Sequence, residues 1–565
     1  MRGSIHLIVV IAIVAALGVG CWSQQDLPLG ASNSDTDFDG DTDSDADSDA
    51  DGDSDSDSDS DTDTNTAPDG FGPVADLCWI ATFGSPGMER ATDVVSFPDG
   101  SAIVAGHFQH SITFNRGEPD ELLLEGELTS CDFQGFIARF DAEGRALWAW
   151  RLGPICYSPQ PSYRLGGYQD GGAVVAAPIT GTVTLCEGEP FETTLEGSAL
   201  SDILVARFAQ DSSLVWARSE EGDSISIVGI GVMPDGSVVT TGHVNQPAIF
   251  GEGEANETAI DSSGSSDRYV ASYTPSGTLR WVKQEDGHDF YNSGVATTAD
   301  GEPIVTGLLM GIAEFGVGGP NATELNPHEL GPQGNEHALD SGMFVTRYYE
   351  YGELQWARGA GTVSSGQTVN GYPIGLQDNT FVVAGKFLGP LFFDYGLPTE
   401  GSLEGPYIDS GQGWNYYSPE FFAARFDEDG HLIWATQTDS EYGNNAEGVG
   451  AALIADNCFV VTGEIDGAVR FGPGESNETW IVSQGEHEPF AAVYDLDGNL
   501  EWAARVGTGW DVGQATAVAG LDDGDFLLAG GFAGSAEFLI DGEAITLESD
   551  GLRDGFLMKV CPSQE

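Results

Sequence analysis

Basic residues are scarce in this sequence. Its 565 residues carry 20 Lys and Arg against 90 Asp and Glu, a formal net charge of −70, and Lys283, Lys386 and Lys559 are the only lysines. Phosphate backbones are held by clustered Lys and Arg, so nucleic acid is excluded as a partner. Catalytic signatures are missing too. The nine histidines are scattered, with no HExxH or paired metal spacing. There is no GxSxG elbow, no P-loop, and no GxGxxG between a strand and a helix. Helix-type apolar stripes are few. Glycine is abundant instead, at 78 residues, and short β-branched and aromatic runs dominate, which argues for an all-β chain.

One short hairpin phrase recurs. It reads Phe136-Ile137-Ala138-Arg139-Phe140, a turn Asp141-Ala142-Glu143-Gly144, then Leu147-Trp148-Ala149. It returns with tryptophans at Trp216, Trp281, Trp356, Trp434 and Trp502. A last first half, Phe556 to Val560, runs into Cys561, while an unpaired second half, Leu77-Cys78-Trp79-Ile80-Ala81, stands near the front. The repeat is about 70 residues long, and internal repetition overrides the length prior for several domains.

Each unit reads as four strands. In the first, Ala91–Phe97 turns at Pro98-Asp99-Gly100 into Ile103–Phe108, and a long connection leads to the phrase. A small residue followed by glycine recurs in the second strand, at Ala105-Gly106, Thr241-Gly242, Thr306-Gly307, Ala384-Gly385, Thr462-Gly463 and Ala529-Gly530. The second unit carries Ala176-Ala177 instead. Small residues on the inner strands and aromatics on the outer ones suit a wedge. The expectation is a single seven-bladed β-propeller of four-stranded antiparallel blades over 71–565, closed by pairing the N-terminal strand with the C-terminal hairpin. The phrase, the Asp-Gly turn and the glycine step resemble the bacterial β-propeller repeat family called SBBP, related to NHL propellers. That resemblance implies the fold and a cell-surface setting, and no reaction.

Laid on Phe140 and Trp148, Val560-Cys561 and Cys78-Trp79 set the two cysteines close to opposite each other, so a Cys78–Cys561 disulfide is expected in an exported protein. Closing so long a loop stabilises by on the order of 4–5 kcal/mol in the chain-entropy model. One pair among Cys131, Cys156 and Cys186 is expected without being assignable. Cys458, at the start of a strand, reads as a free packed thiol.

Ahead of the repeats, Arg2 and the apolar run Ile5–Val19 read as a secretory signal over 1–20. Leu17-Gly18-Val19-Gly20-Cys21 resembles a bacterial lipoprotein box, which implies lipidation of Cys21; with Trp22 rather than Asp next, the resemblance implies outer-membrane delivery. In the segment 21–70, every odd position from Asp35 to Asp63 is Asp. Such a chain buries nothing and repels itself into an extended, disordered stalk. It resembles the Ser-Asp stalks of bacterial adhesins. Asp35-x-Asp37-x-Asp39-Gly40 begins like a calcium loop but lacks the closing Glu, so the stalk is expected to collect divalent ions loosely and no built metal site or cofactor is expected.

Ten bases occupy repeat positions, among them Arg139, Arg207, Arg347 and Arg425, and are read as partners of nearby acids. Units four and five are the longest, and the fifth places Tyr407, Trp414, Tyr416 and Tyr417 within 405–419, where exposed aromatics suit sugar stacking or a protein hot spot. The fourth offers His328, Glu336 and His337 without a ligand spacing. The sequence thus predicts a monomeric, lipid-anchored surface binding or adhesion module. It meets a glycan or protein through its long-loop face, touches the membrane only through the anchor, and has no catalytic residue. The alternative is a polysaccharide hydrolase or lyase working in the central mouth, which requires converging carboxylates or an arginine cluster there.

Overall fold

The computed structural model describes residues 71–126, 131–156, 162–198, 201–222, 224–260, 267–287, 290–332, 341–362, 369–405, 407–409, 415–440, 445–455, 457–485, 487–508 and 511–562. The signal, Cys21 and the stalk lie outside them. The described residues form strands, with one 3-10 turn at Pro327–Glu329 and no α-helix.

Seven antiparallel quartets follow the repeat. The first comprises Glu89–Ser96, Ala102–Phe108, Phe133–Phe140 and Ala146–Ile155. The seventh joins Asp511–Gly520, Phe526–Ala533 and Asp554–Val560 to Asp76–Phe83, with Leu77 opposite Val560 and Thr82 opposite Phe556. In that quartet the Cys78–Cys561 disulfide, with Cα atoms 5.7 Å apart, stands where the other units have a tight turn, such as Asp141–Gly144, Asp427–Gly430 and Asp495–Gly498.

The single closed seven-bladed propeller of uniform four-stranded blades is corrected. Among the described residues the strands fall into eleven separate sheets of two to six strands, and none closes or curls on itself. The reason lies in the connection between the second and third strands of each unit. It folds into its own hairpin, and in most units that hairpin bonds to the last strand of the preceding unit. Ala248–Phe250 pairs with Leu214–Gly222, Ala313–Phe315 with Leu279–Gly287, and Leu391–Phe393 with Leu354–Thr362. The sequence marks these hairpins with a Gly-x-x-x-Glu turn whose carboxylate accepts from the glycine N–H, as at Gly253–Glu257 (2.7 Å) and Gly474–Glu478 (2.7 Å).

Among the described residues no ladder joins one quartet's first strand to the next; side chains do. Among the described residues an apolar cluster fills each seam between successive units, and another joins unit seven to unit one through Leu527 and Leu557 against Val104 and Ala138. The repeated tryptophan fastens the outer edge of these seams. Its indole N–H donates to the next unit's hairpin turn, Trp281 to Glu350 O at 2.8 Å and Trp434 to Leu496 O at 2.9 Å. The turn glycine sits beneath the ring. Gly352 has φ +86°, and a Cβ there would lie 2.5 Å from Trp281.

Cys131 pairs with Cys156, and Cys186 is the buried free thiol. Its burial pushes it up to about 12, so it is inert at neutral pH. Cys458 is disulfide-bonded, which corrects the expected free thiol.

Candidate functional site

The recurrent glycine of the second strand explains how the site is built. Five first strands carry β-bulges at one level, between Ala91 and Asp93, Ile227 and Gly229, Asn292 and Gly294, and Gly448 and Gly450, and twice between Gly513 and Ala517. A bulge turns a residue out of register and bends the strand. Bending drives a carbonyl onto the neighbouring strand, and only glycine leaves room. A Cβ on Gly106, Gly242, Gly307 or Gly463 would overlap the carbonyl oxygen of Arg90, Ser226, Tyr291 or Glu447 respectively. In unit two the first strand starts at Arg164, opposite Ala176, so no residue of that strand faces Ala177 and no bulge forms; in unit five Gly385 faces Gly371 in regular register, without a bulge.

These strands wall a cavity of about 470 Å³ that all seven units reach. Five charged side chains face it: Arg90, Arg164 and Lys386 against Asp93 and Glu447, with His107, Tyr372 and the glycines of the bulges between them. The three bases are among those that occupy no repeat position. Arg164 is braced by donating from Nε to Val228 O (2.7 Å) and from a terminal nitrogen to Tyr163 O (3.0 Å). Asp93 accepts from the N–H groups of Leu165 (2.7 Å) and Val94 (2.9 Å). Loss of water raises its carboxyl to about 6, against the pull of Arg164. The Lys386 ammonium donates to Glu447 at 2.7 Å. Arg90 is buried, and burial together with nearby Arg553 lowers it to about 10. Behind the wall, burial raises Glu464 to about 7, with His487 Nδ1 3.4 Å away.

The bases on repeat positions have a scaffold task. Arg347 bonds Asp300 (3.0 Å) and Glu302 (2.7 Å) of its own unit and donates to Glu428 O of the next. Arg425 does the same with Asp378 (2.6 Å) and Leu496 O (2.9 Å).

Of the aromatics singled out from sequence, Tyr407, Tyr416 and Tyr417 meet on one hairpin. Tyr407–Asp409 pairs with Asn415–Tyr417, with Tyr407 opposite Tyr417 and Ile408 opposite Tyr416. Trp414, Glu336 and His337 lie outside the described residues, and His328 is on the exposed 3-10 turn. The cavity bases were missed from sequence. The available signal was their departure from the repeat.

No protein-family model matches the chain, and no curated protein matches it. Solved structures that resemble it include a protein of unknown function from Bacteroides caccae, at 8% identity over 68% of this chain and 94% of the other, with TM-score 0.29. Another, from Dyadobacter fermentans, is also of unknown function, at 10% identity over 71% and 94%, with TM-score 0.30. A eukaryotic initiation factor aligns at 9% identity over 82% and 90%, with TM-score 0.28. At such scores these likenesses carry no argument.

Proposed function

We propose that the chain is a non-catalytic ligand-binding module, exported, with the Asp-rich stalk holding the repeat region away from the cell envelope. The observation that supports this reading is how the acids facing the cavity are engaged. Asp93 is held by two main-chain N–H groups, and Glu447 by Lys386. Two carboxylates and two arginines do converge there, as the hydrolase or lyase alternative requires, but both carboxylates are engaged by donors, so the wall is read as fixed donors and charge for binding. The Tyr407–Tyr417 hairpin adds a second contact surface on the same reading. The test is a glycan and secreted-protein binding screen with the full chain, followed by recovery and mass analysis of whatever is retained. Retention of an unaltered ligand is expected. Release of cleaved product, or no retained ligand at all, overturns the proposal.

A further inference from the structure

Acids outnumber bases 90 to 20 in this chain, yet on the cavity wall bases outnumber acids three to two. A small positive region enclosed by an acidic molecule is not what composition would place there. From this, and resting on the binding reading above, we infer that the cavity takes a monoanionic, polyhydroxylated small molecule: a sugar bearing one carboxylate.

The charge argues for one negative group and against two. With Asp93 and Glu447 set among Arg90, Arg164 and Lys386, the wall carries about one net positive charge in its fully ionised state. One carboxylate balances that, whereas a phosphate dianion would stand close to two fixed acids. The remaining wall argues for hydroxyls. Bulged strands leave main-chain N–H and C=O groups out of the ladder, and the glycines at the bulges let a ligand reach them. Tyr372 is the aromatic side chain on the wall, of the kind that stacks on the C–H face of a pyranose. The volume of about 470 Å³ falls within the roughly 300–1,000 Å³ of small-molecule sites.

Calorimetric titration of the full chain with D-glucuronate, D-glucose and inorganic phosphate tests this, together with an oligosaccharide ending in glucuronate. Glucuronate, free or as a chain end, is expected to bind at least tenfold more tightly than glucose or phosphate. K386Q, in which Gln keeps much of the bulk of the mostly buried Lys386 side chain (30% exposed), is expected to weaken it about tenfold while the chain stays folded. R145Q removes an exposed base that pairs with Asp120 at 2.6 Å, outside the cavity, and is expected to keep full affinity. Equal binding of glucose, tighter binding of phosphate, or equal losses in K386Q and R145Q overturns the inference. A chain that ignores glucuronate but retains neutral glycans overturns it and leaves the binding reading intact. A chain that retains nothing overturns both.

Discussion

The residues that punctuate this sequence do their work between units. A tryptophan and a glycine in one phrase read as the strand and turn of a hairpin, and so they are. Their second role was not legible, because a local pattern does not say that Trp281 closes on the Gly352 turn of the following unit. Buried acids are a further residue-level feature. Burial raises Glu420 and Glu285 to about 7 from an ordinary 4.5, although Thr438 and Ser440 hydrogen-bond Glu420, and Tyr348 hydrogen-bonds Glu285. A carboxyl that holds its proton more tightly when folded stabilises the fold below its unfolded pKa, and that contribution fades as pH rises through the folded value. Stability should therefore fall between about pH 4.5 and 7. Thermal unfolding followed from pH 4.5 to 8 at fixed ionic strength should show a falling midpoint, with a shallower fall in E420Q. A midpoint that rises across that window contradicts this account.

At the scale of elements, the glycine step and the bulge act together in five units. The step was visible in the sequence, and its position near the narrow end of a unit was inferred from residue size alone. The bulge opposite it was not, since out-of-register pairing leaves no periodic trace. Gly242→Ala should cost about 3 kcal/mol or more, because backbone must move to admit the methyl group, whereas Ala177→Gly, with no bulge opposite, should cost about 1 kcal/mol. Denaturant unfolding of the two variants compares them directly, and equal losses would sink the assignment. The hairpins between second and third strands were read as loops on a recognition face. They pair at unit edges instead, and the repeated Gly-x-x-x-Glu turn was the overlooked sign.

For the whole molecule, the split hairpin places Cys78 against Cys561 across 483 residues of sequence. The paired double variant C78S/C561S should lose roughly 5 kcal/mol in the chain-entropy model, read as a lower denaturation midpoint under oxidising conditions. A midpoint equal to that of the oxidised parent would show that side-chain packing alone holds the joint. Seven repeats, their order and the pairing of Asp76–Phe83 with Asp554–Val560 were legible because the phrase recurs and is cut in two. The single closed wheel was not borne out, because hairpins exchanged between units divide the strands among separate sheets. The cavity was illegible for a related reason. Arg90, Arg164 and Lys386 come from three different units at non-equivalent positions, so no spacing in the sequence connects them.

The account's central claim is that recognition happens where the first strands meet, and hydrogen exchange of the full chain with and without D-glucuronate tests it most directly. Slower exchange over 90–94, 163–165 and 447–451, with 407–417 unchanged, is the predicted result. Protection confined to 407–417 would place recognition on the aromatic hairpin and contradict the claim.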